Sequence, residues 1–272
     1  VPFAGAGDDP GVLSHTFVHC PGIGLHGERT LWAQGYVDWE AFVAGHPPGA
    51  WRDRVAERLV PARALRDLPH REAWRLLPEC AGRILYLDLE TDGANGAITC
   101  IGVSDGVTAR AYVEGEDLHR FPETLEGVAL LVTYGGAGFD LPILIRRFPD
   151  LDLRRFLHLD LRHALHRLGL GGGLKAAEAA CGIRRAAAIH GADGWTAVKL
   201  WRAHCQGHPR ALETLRHYCL ADTVSLKPLA AIAYNRLTAD LPFEVLPVPE
   251  GLVPVIPHAP DGDLVARLRA HP

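Results

Sequence analysis

One eight-residue stretch, Ile84-Leu85-Tyr86-Leu87-Asp88-Leu89-Glu90-Thr91, constrains the fold more than any other. Its apolar, β-suited residues read as a buried strand. In a strand, side chains at i and i+2 point to the same face. Asp88 and Glu90 therefore stand side by side, about 7 Å apart along the backbone. Two acids on a strand that ought to be apolar are costly unless something neutralises them. A divalent cation is the usual neutraliser, and phosphoryl chemistry its usual use.

The surrounding pattern predicts an α/β fold. Apolar positions from Leu13 to Leu77 fit short amphipathic helices, punctuated by Pro47-Pro48 and Pro61. Residues 1 to about 12 are rich in Gly, Pro and Asp and are expected to be loose. Near Gly82 the period changes. Strands are expected over Arg83 to Glu90, Ile98 to Ser104, Thr108 to Val113, Val128 to Tyr134 and Phe156 to Leu159. Asp92-Gly93 and Asn95-Gly96 are turn signals between the first two. Pro142 lies early in a helix expected to run to about Phe148. Further helices are expected over Leu161 to Leu168, Leu174 to Cys181, Ala197 to Gln206 and Pro209 to Tyr234, followed by an extended, Pro-rich tail. Hairpin-like strands followed by alternating β and α describe a mixed sheet flanked by helices. The expected division is a helical N-terminal module (1–78), an α/β domain (79–238) and a C-terminal tail (239–272).

Composition narrows the function classes. An apolar fraction of 48% and a charged fraction of 22% are those of an ordinary soluble globular protein. A net charge of −4 leaves any phosphate-binding surface to a local basic patch. The six cysteines include no CxxC pair, which argues against a zinc knuckle or iron–sulfur site and for reduced, mostly buried thiols. No signal peptide or membrane-length apolar run is apparent, so a cytoplasmic protein without membrane partners is expected.

Two further acids extend the first pair. Asp140 follows the fourth strand, where α/β folds place ligand-binding groups. It equally suits an N-cap for the Pro142 helix. Asp222 lies in a C-terminal helix, where Tyr218 at i−4 shares its face. Four carboxylates from three segments make a plausible site for two Mg²⁺ or Mn²⁺ ions, which prefer hard oxygen ligands. A tyrosine hydroxyl can orient an attacking water. The alternative places Tyr218 in the core and pairs Asp222 with a basic neighbour on a solvated face.

Leu87-Asp88-Leu89-Glu90-Thr91, Tyr134 to Asp140 and Tyr218-Cys219-Leu220-Ala221-Asp222 resemble the three motifs of the DEDD 3′–5′ exonucleases, in particular their YprB-like branch. Leu174-Lys175-Ala176-Ala177-Glu178 through Gly182-Ile183, and the segment Trp195 to Trp201, resemble that branch too. The resemblance spans about residues 82–235. It implies a ribonuclease H-like fold and metal-dependent hydrolysis of single-stranded DNA or RNA ends. Asp88, Glu90, Asp140 and Asp222 become the metal-site acids, and Tyr218 the water-orienting residue. His217 competes for that role. On a continuous helix it lies about 140° from Asp222 and Tyr218 about 40°, which favours Tyr218. The family pattern usually has asparagine where Gly135 stands, so an amide near the site is missing. Asp160 also resembles a family position and equally suits a helix N-cap. A structure-selective endonuclease with the same acids, or a non-catalytic nucleic-acid scaffold, are the other expectations.

Two peripheral features bear on substrate. Pro21-Gly22-Ile23-Gly24 resembles the hairpin of helix-hairpin-helix modules, in which Gly22 and Gly24 would expose backbone N–H groups to a phosphate. A plain helix–helix turn is the alternative. Arg146 and Arg147, with Arg154, Arg155, Arg162 and Arg167, flank the second motif and suit either a nucleic-acid backbone or a solvated surface.

Overall fold

The computed structural model describes residues 11–93 and 96–270. The Gly/Pro/Asp-rich segment at 1–10 and Asn95 of the expected turn lie outside the described residues.

Five strands form one mixed sheet: β1 (Ile84–Thr91), β2 (Ile98–Ser104), β3 (Ala109–Val113), β4 (Leu130–Thr133) and β5 (Leu157–Asp160). Their order is β3-β2-β1-β4-β5. β1 to β3 pair antiparallel, whereas β4 runs parallel to both β1 and β5. The β2–β3 turn is held by Asp105, whose Oδ1 accepts from the N–H groups of Val107 and Thr108. The parallel pairs need crossovers. A 3₁₀ segment (Leu118–Leu125) precedes β4, and α5 (Asp140–Arg147) joins β4 to β5.

The strand alternation separates the faces of β1. Leu85, Leu87 and Leu89 join Ile101, Val103, Leu131 and Leu144 in one buried cluster. Tyr86 packs on the other face with Leu226, Leu229 and Ala230 of α9 (Ala211–Thr238). This 28-residue helix is buried along most of its length. It carries an internal Pro228, which leaves one backbone acceptor without its usual donor. Beside α9 lie α6 (Leu161–Arg167), α7 (Leu174–Ala180) and α8 (Gly194–Cys205). α8 starts earlier than the apolar pattern suggests, because Asp193 and Thr196 form a capping box.

The N-terminal region contains α1 (Leu25–Ala33), α2 (Trp39–Gly45), α3 (Ala50–Ala56) and α4 (Pro61–Asp67). Val12, Leu13, Leu65, Trp74 and Leu77 share a core with Leu130, Val132 and α9. A buried ion cluster fixes the junction. Arg75 pairs with Glu28 at 2.7 Å and Glu72 at 2.9 Å, and Glu72 also meets Arg167 of α6. The C-terminal segment departs from the expectation of an extended tail. After the Pro-rich stretch it forms α10 (Gly262–Ala270), which buries Leu264 and Val265 beside α8. Among the described residues, no helix is long and apolar enough to cross a membrane.

Candidate metal and catalytic site

Asp88 and Glu90 occupy the α9 face of β1, opposite the leucines. Their carboxylate oxygens and Cys219 Sγ lie within 4.8 Å of one another. Glycine makes this approach possible. Gly102 on β2 faces Asp88 in register. A Cβ on Gly102 would stand 2.2 Å from Thr223 Oγ1 and 3.2 Å from the Cys219 carbonyl oxygen. A side chain there would push α9 off the sheet. Cys219 is no ligand for a hard cation. A hydrogen bond to Cys100, then burial, holds its pKa up, and its thiol donates to the Asp88 carbonyl at 3.8 Å.

Asp140 opens α5. The loop that delivers it is anchored by Asp160, whose Oδ1 accepts from the Gly135 N–H at 2.7 Å and whose Oδ2 accepts from the Ala137 N–H at 3.2 Å. Asp160 also caps α6 through the Arg162 N–H, so it is both N-cap and loop anchor. Gly135 has φ +79, a conformation that glycine and asparagine adopt most readily. A Cβ there would find nothing nearer than Arg162 at 3.7 Å. The missing amide therefore leaves the loop conformation intact. At Gly136 a Cβ would meet Asp140 Oδ2 at 2.8 Å, so that position must stay bare.

The electrostatics are those of crowded, buried acids. Burial, then Asp222, Glu90 and Asp140, holds the Asp88 carboxyl well above the ordinary range. Burial and then Asp222 do the same for Glu90. Burial pushes Asp140 up to about 7. Asp222 is also raised by burial, against the opposing pull of Arg185 and Lys175. It is ion-paired with Arg185, which lies in the loop after α7.

α9 is continuous through residues 217–222, so Tyr218 and Asp222 share a face. Burial raises the Tyr218 hydroxyl far above its usual range, helped by Asp222, Glu90 and Asp88. Lys175 of α7 donates to its oxygen at 2.6 Å. His217 instead donates from Nδ1 to the His258 carbonyl at 2.7 Å, in the C-terminal segment. Lys175, Arg185 and the loop-anchoring duty of Asp160 escape a reading by element. Lys175 lies within a segment already matched to the family pattern, which was the available signal.

The remaining expected residues lie elsewhere. Gly24 precedes α1 and Gly22 has φ +84, with a 3₁₀ turn (Val12–His15) upstream. Arg146 donates to the Gly96 carbonyl at 3.2 Å, which sets it at the β1–β2 turn. Arg147 pairs with Glu114 at 3.3 Å. Two aromatic side chains are half-exposed, one at the start of α5 and one just past the end of β1. Phe139, next to Asp140, is 50% exposed. Trp195, at the start of α8 beside Gly93, is 49% exposed and carries Arg202 over its ring at 5.0 Å.

Residues 85–234, more than half of the chain, match the family RNase_H_2, described as RNase_H superfamily. Comparisons with curated proteins and with solved structures gave no match.

Proposed function

The chain belongs to the RNase H superfamily, and from that premise we propose that it is a metal-dependent 3′–5′ exonuclease acting on single-stranded ends of DNA or RNA. The observation that carries this reading is the meeting of Asp88 and Glu90 of β1 with Asp222 of α9 and Asp140 of α5, each raised by burial, and Asp88 and Glu90 raised further by the charge of the other acids. Such a set is unfavourable on its own. All four offer hard oxygen donors, which fits Mg²⁺ or Mn²⁺, and the neighbouring Cys219 thiol is held protonated.

Asp88, Glu90, Asp140 and Asp222 would hold the divalent ions. When bound, the ions supply a lowered water pKa and charge stabilisation of a phosphodiester transition state. The chain's own groups do the positioning. Tyr218 stands on the same helix face as Asp222, where its hydroxyl can orient the attacking water. Lys175 fixes that hydroxyl by donating to it. A water attacks phosphorus, the bond to the leaving 3′ oxygen breaks, and a mononucleotide departs. Single-strand preference is supported by the half-exposed ring of Phe139, next to Asp140, since unpaired bases stack on exposed aromatic faces.

The test is Asp88→Asn on 5′-labelled single strands with Mg²⁺ or Mn²⁺. Turnover should be nearly abolished while the circular dichroism spectrum stays that of the wild type. Wild-type turnover by the variant refutes the mechanism. Internal fragments from the wild type, rather than a ladder shortening from the 3′ end, would assign the same acids to an endonuclease. No cleavage by the wild type would favour a scaffold.

A further inference from the structure

Among the described residues, Arg185 is the one basic side chain within ion-pair distance of any of the four acids. It is 12% exposed. Its guanidinium serves two carboxylates unequally. Nε and Nη2 donate to Glu178 Oε2 and Oε1 at 2.6 and 2.7 Å. This fork-on-fork geometry fixes the plane of the group. Nη1 meets Asp222 Oδ1, yet both atoms are buried without a well-directed hydrogen bond. The contact with Glu178 is shaped, whereas the contact with Asp222 is one of charge.

We propose that Arg185 is the resident counter-ion of Asp222, displaced when a divalent cation binds there. Metal uptake at Asp222 and release of Arg185 are then one equilibrium. The inference rests on the metal reading of the site given above. A guanidinium and a divalent cation cannot share one carboxylate oxygen without strong repulsion. Because Glu178 holds Nε and Nη2, the exchange is a turn of the Asp222 carboxylate away from Nη1, which breaks one contact and leaves the loop in place. Glu178 holds the guanidinium through two hydrogen bonds, which makes it the permanent partner and Asp222 the exchangeable one. The arrangement also accounts for Asp222 lying outside the close set formed by Asp88, Glu90 and Cys219.

Calorimetric titration of Mn²⁺ into the metal-stripped full chain, without nucleic acid, tests this. Arg185→Gln should bind Mn²⁺ about tenfold more tightly than the wild type, because a competing charge in contact with the ligand is gone. Arg185→Lys should stay near the wild type. Glu178→Gln should weaken Mn²⁺ binding, because Arg185 then has only Asp222 as a charged partner. Opposite signs at 178 and 185 are what competition demands; a merely structural role lowers affinity at both. The gain in Arg185→Gln must vanish when Asp222→Asn is added. Unchanged or weaker binding by Arg185→Gln, or a gain that survives Asp222→Asn, overturns the proposal. Mn²⁺ uptake with one affinity in all forms refutes only the role of Arg185. No uptake by any form at millimolar Mn²⁺ refutes the metal reading and this proposal with it.

Discussion

Gly102→Ala is the sharpest probe of how the site is built, because it adds one methyl group and touches no acid. Gly102 pairs with Asp88 across β1 and β2 and faces α9. The new Cβ would lie 2.2 Å from Thr223 Oγ1, 3.0 Å from Cys219 Sγ and 3.2 Å from the Cys219 carbonyl oxygen. Ordinary contacts need about 3.5 Å, so roughly 1 Å must be found. Thr223 can rotate only by giving up its 2.8 Å bond to the Cys219 carbonyl. The carbonyl is helix backbone and cannot rotate at all. α9 must therefore back away from β1, carrying Tyr218 and Asp222 from Asp88 and Glu90. Overpacking of this kind costs about 1–3 kcal/mol. In a chain of this size each kcal/mol lowers the melting temperature by about 2–4 °C, so a fall of roughly 2–12 °C is expected. Misplacement by about 1 Å costs catalysis about 100-fold. Thermal melting and turnover of a labelled single strand read the two effects. Adding Thr223→Ala removes the worst contact and should restore part of both. A Gly102→Ala protein with wild-type melting and turnover would refute the close seat of α9 on β1.

Further outcomes follow from the same geometry. Asp160→Ala removes the acceptor for the Gly135, Ala137 and Arg162 N–H groups; it should destabilise by about 1.5–3 kcal/mol and depress turnover, whereas full activity would mean that the loop holds Asp140 unaided. Arg75→Met strands Glu28 in the core and leaves Glu72 with Arg167 alone, and should cost about 3–5 kcal/mol in urea unfolding; an unchanged midpoint would refute the ion cluster as the junction's fastening. Burial raises Asp140 from 3.8 to about 7, so between those values the folded chain binds more protons than the unfolded one. Its contribution to stability is present at low pH and is lost as pH rises through about 7. Urea unfolding of the metal-stripped protein should show that decline, and Asp140→Asn should flatten it; an equal slope in the variant would count against the assignment.

The parts of this fold legible in the sequence are those written in local period. Asp88 and Glu90 share a face because β1 alternates, and Leu85, Leu87 and Leu89 fill the other. Pro142 announces the start of α5, and the i to i+4 spacing of Tyr218 and Asp222 holds because α9 is unbroken there. What escaped depends on distant segments meeting. Arg75 and Glu28 are charged residues on short helices, and periodicity assigns such residues outward; only the fold shows that they neutralise each other inside. The loop carrying Arg185 has no period to read, and its partner Asp222 is 37 residues away. α10 is hidden by the prolines before it, although Leu264, Val265 and Leu268 are spaced for a helix. The cost of a methyl group at Gly102 cannot be seen without knowing which helix lies over it.

The two faces of β1 do opposite work, and that separates function from stability. The leucine face contributes apolar burial. Beyond Tyr86, the acid face contributes little: burial raises Asp88, Glu90, Asp140 and Asp222, the neighbouring acids raise Asp88 and Glu90 further, and only Asp222 has an ion-pair partner among the described residues. Elsewhere this chain buries charge differently. Around Arg75, acid and base are matched at 2.7 and 2.9 Å. A chain able to build that balanced cluster has left the β1 site short of positive charge, a shortage that the divalent ions proposed above would fill. The same imbalance gives Asp88→Asn two consequences of opposite sign. Removing one repelled carboxylate should raise the melting temperature of the metal-stripped protein, while turnover is lost. A purely structural Asp88 would lower both together, so the divergence of the two readouts is the signature of a site kept for its chemistry.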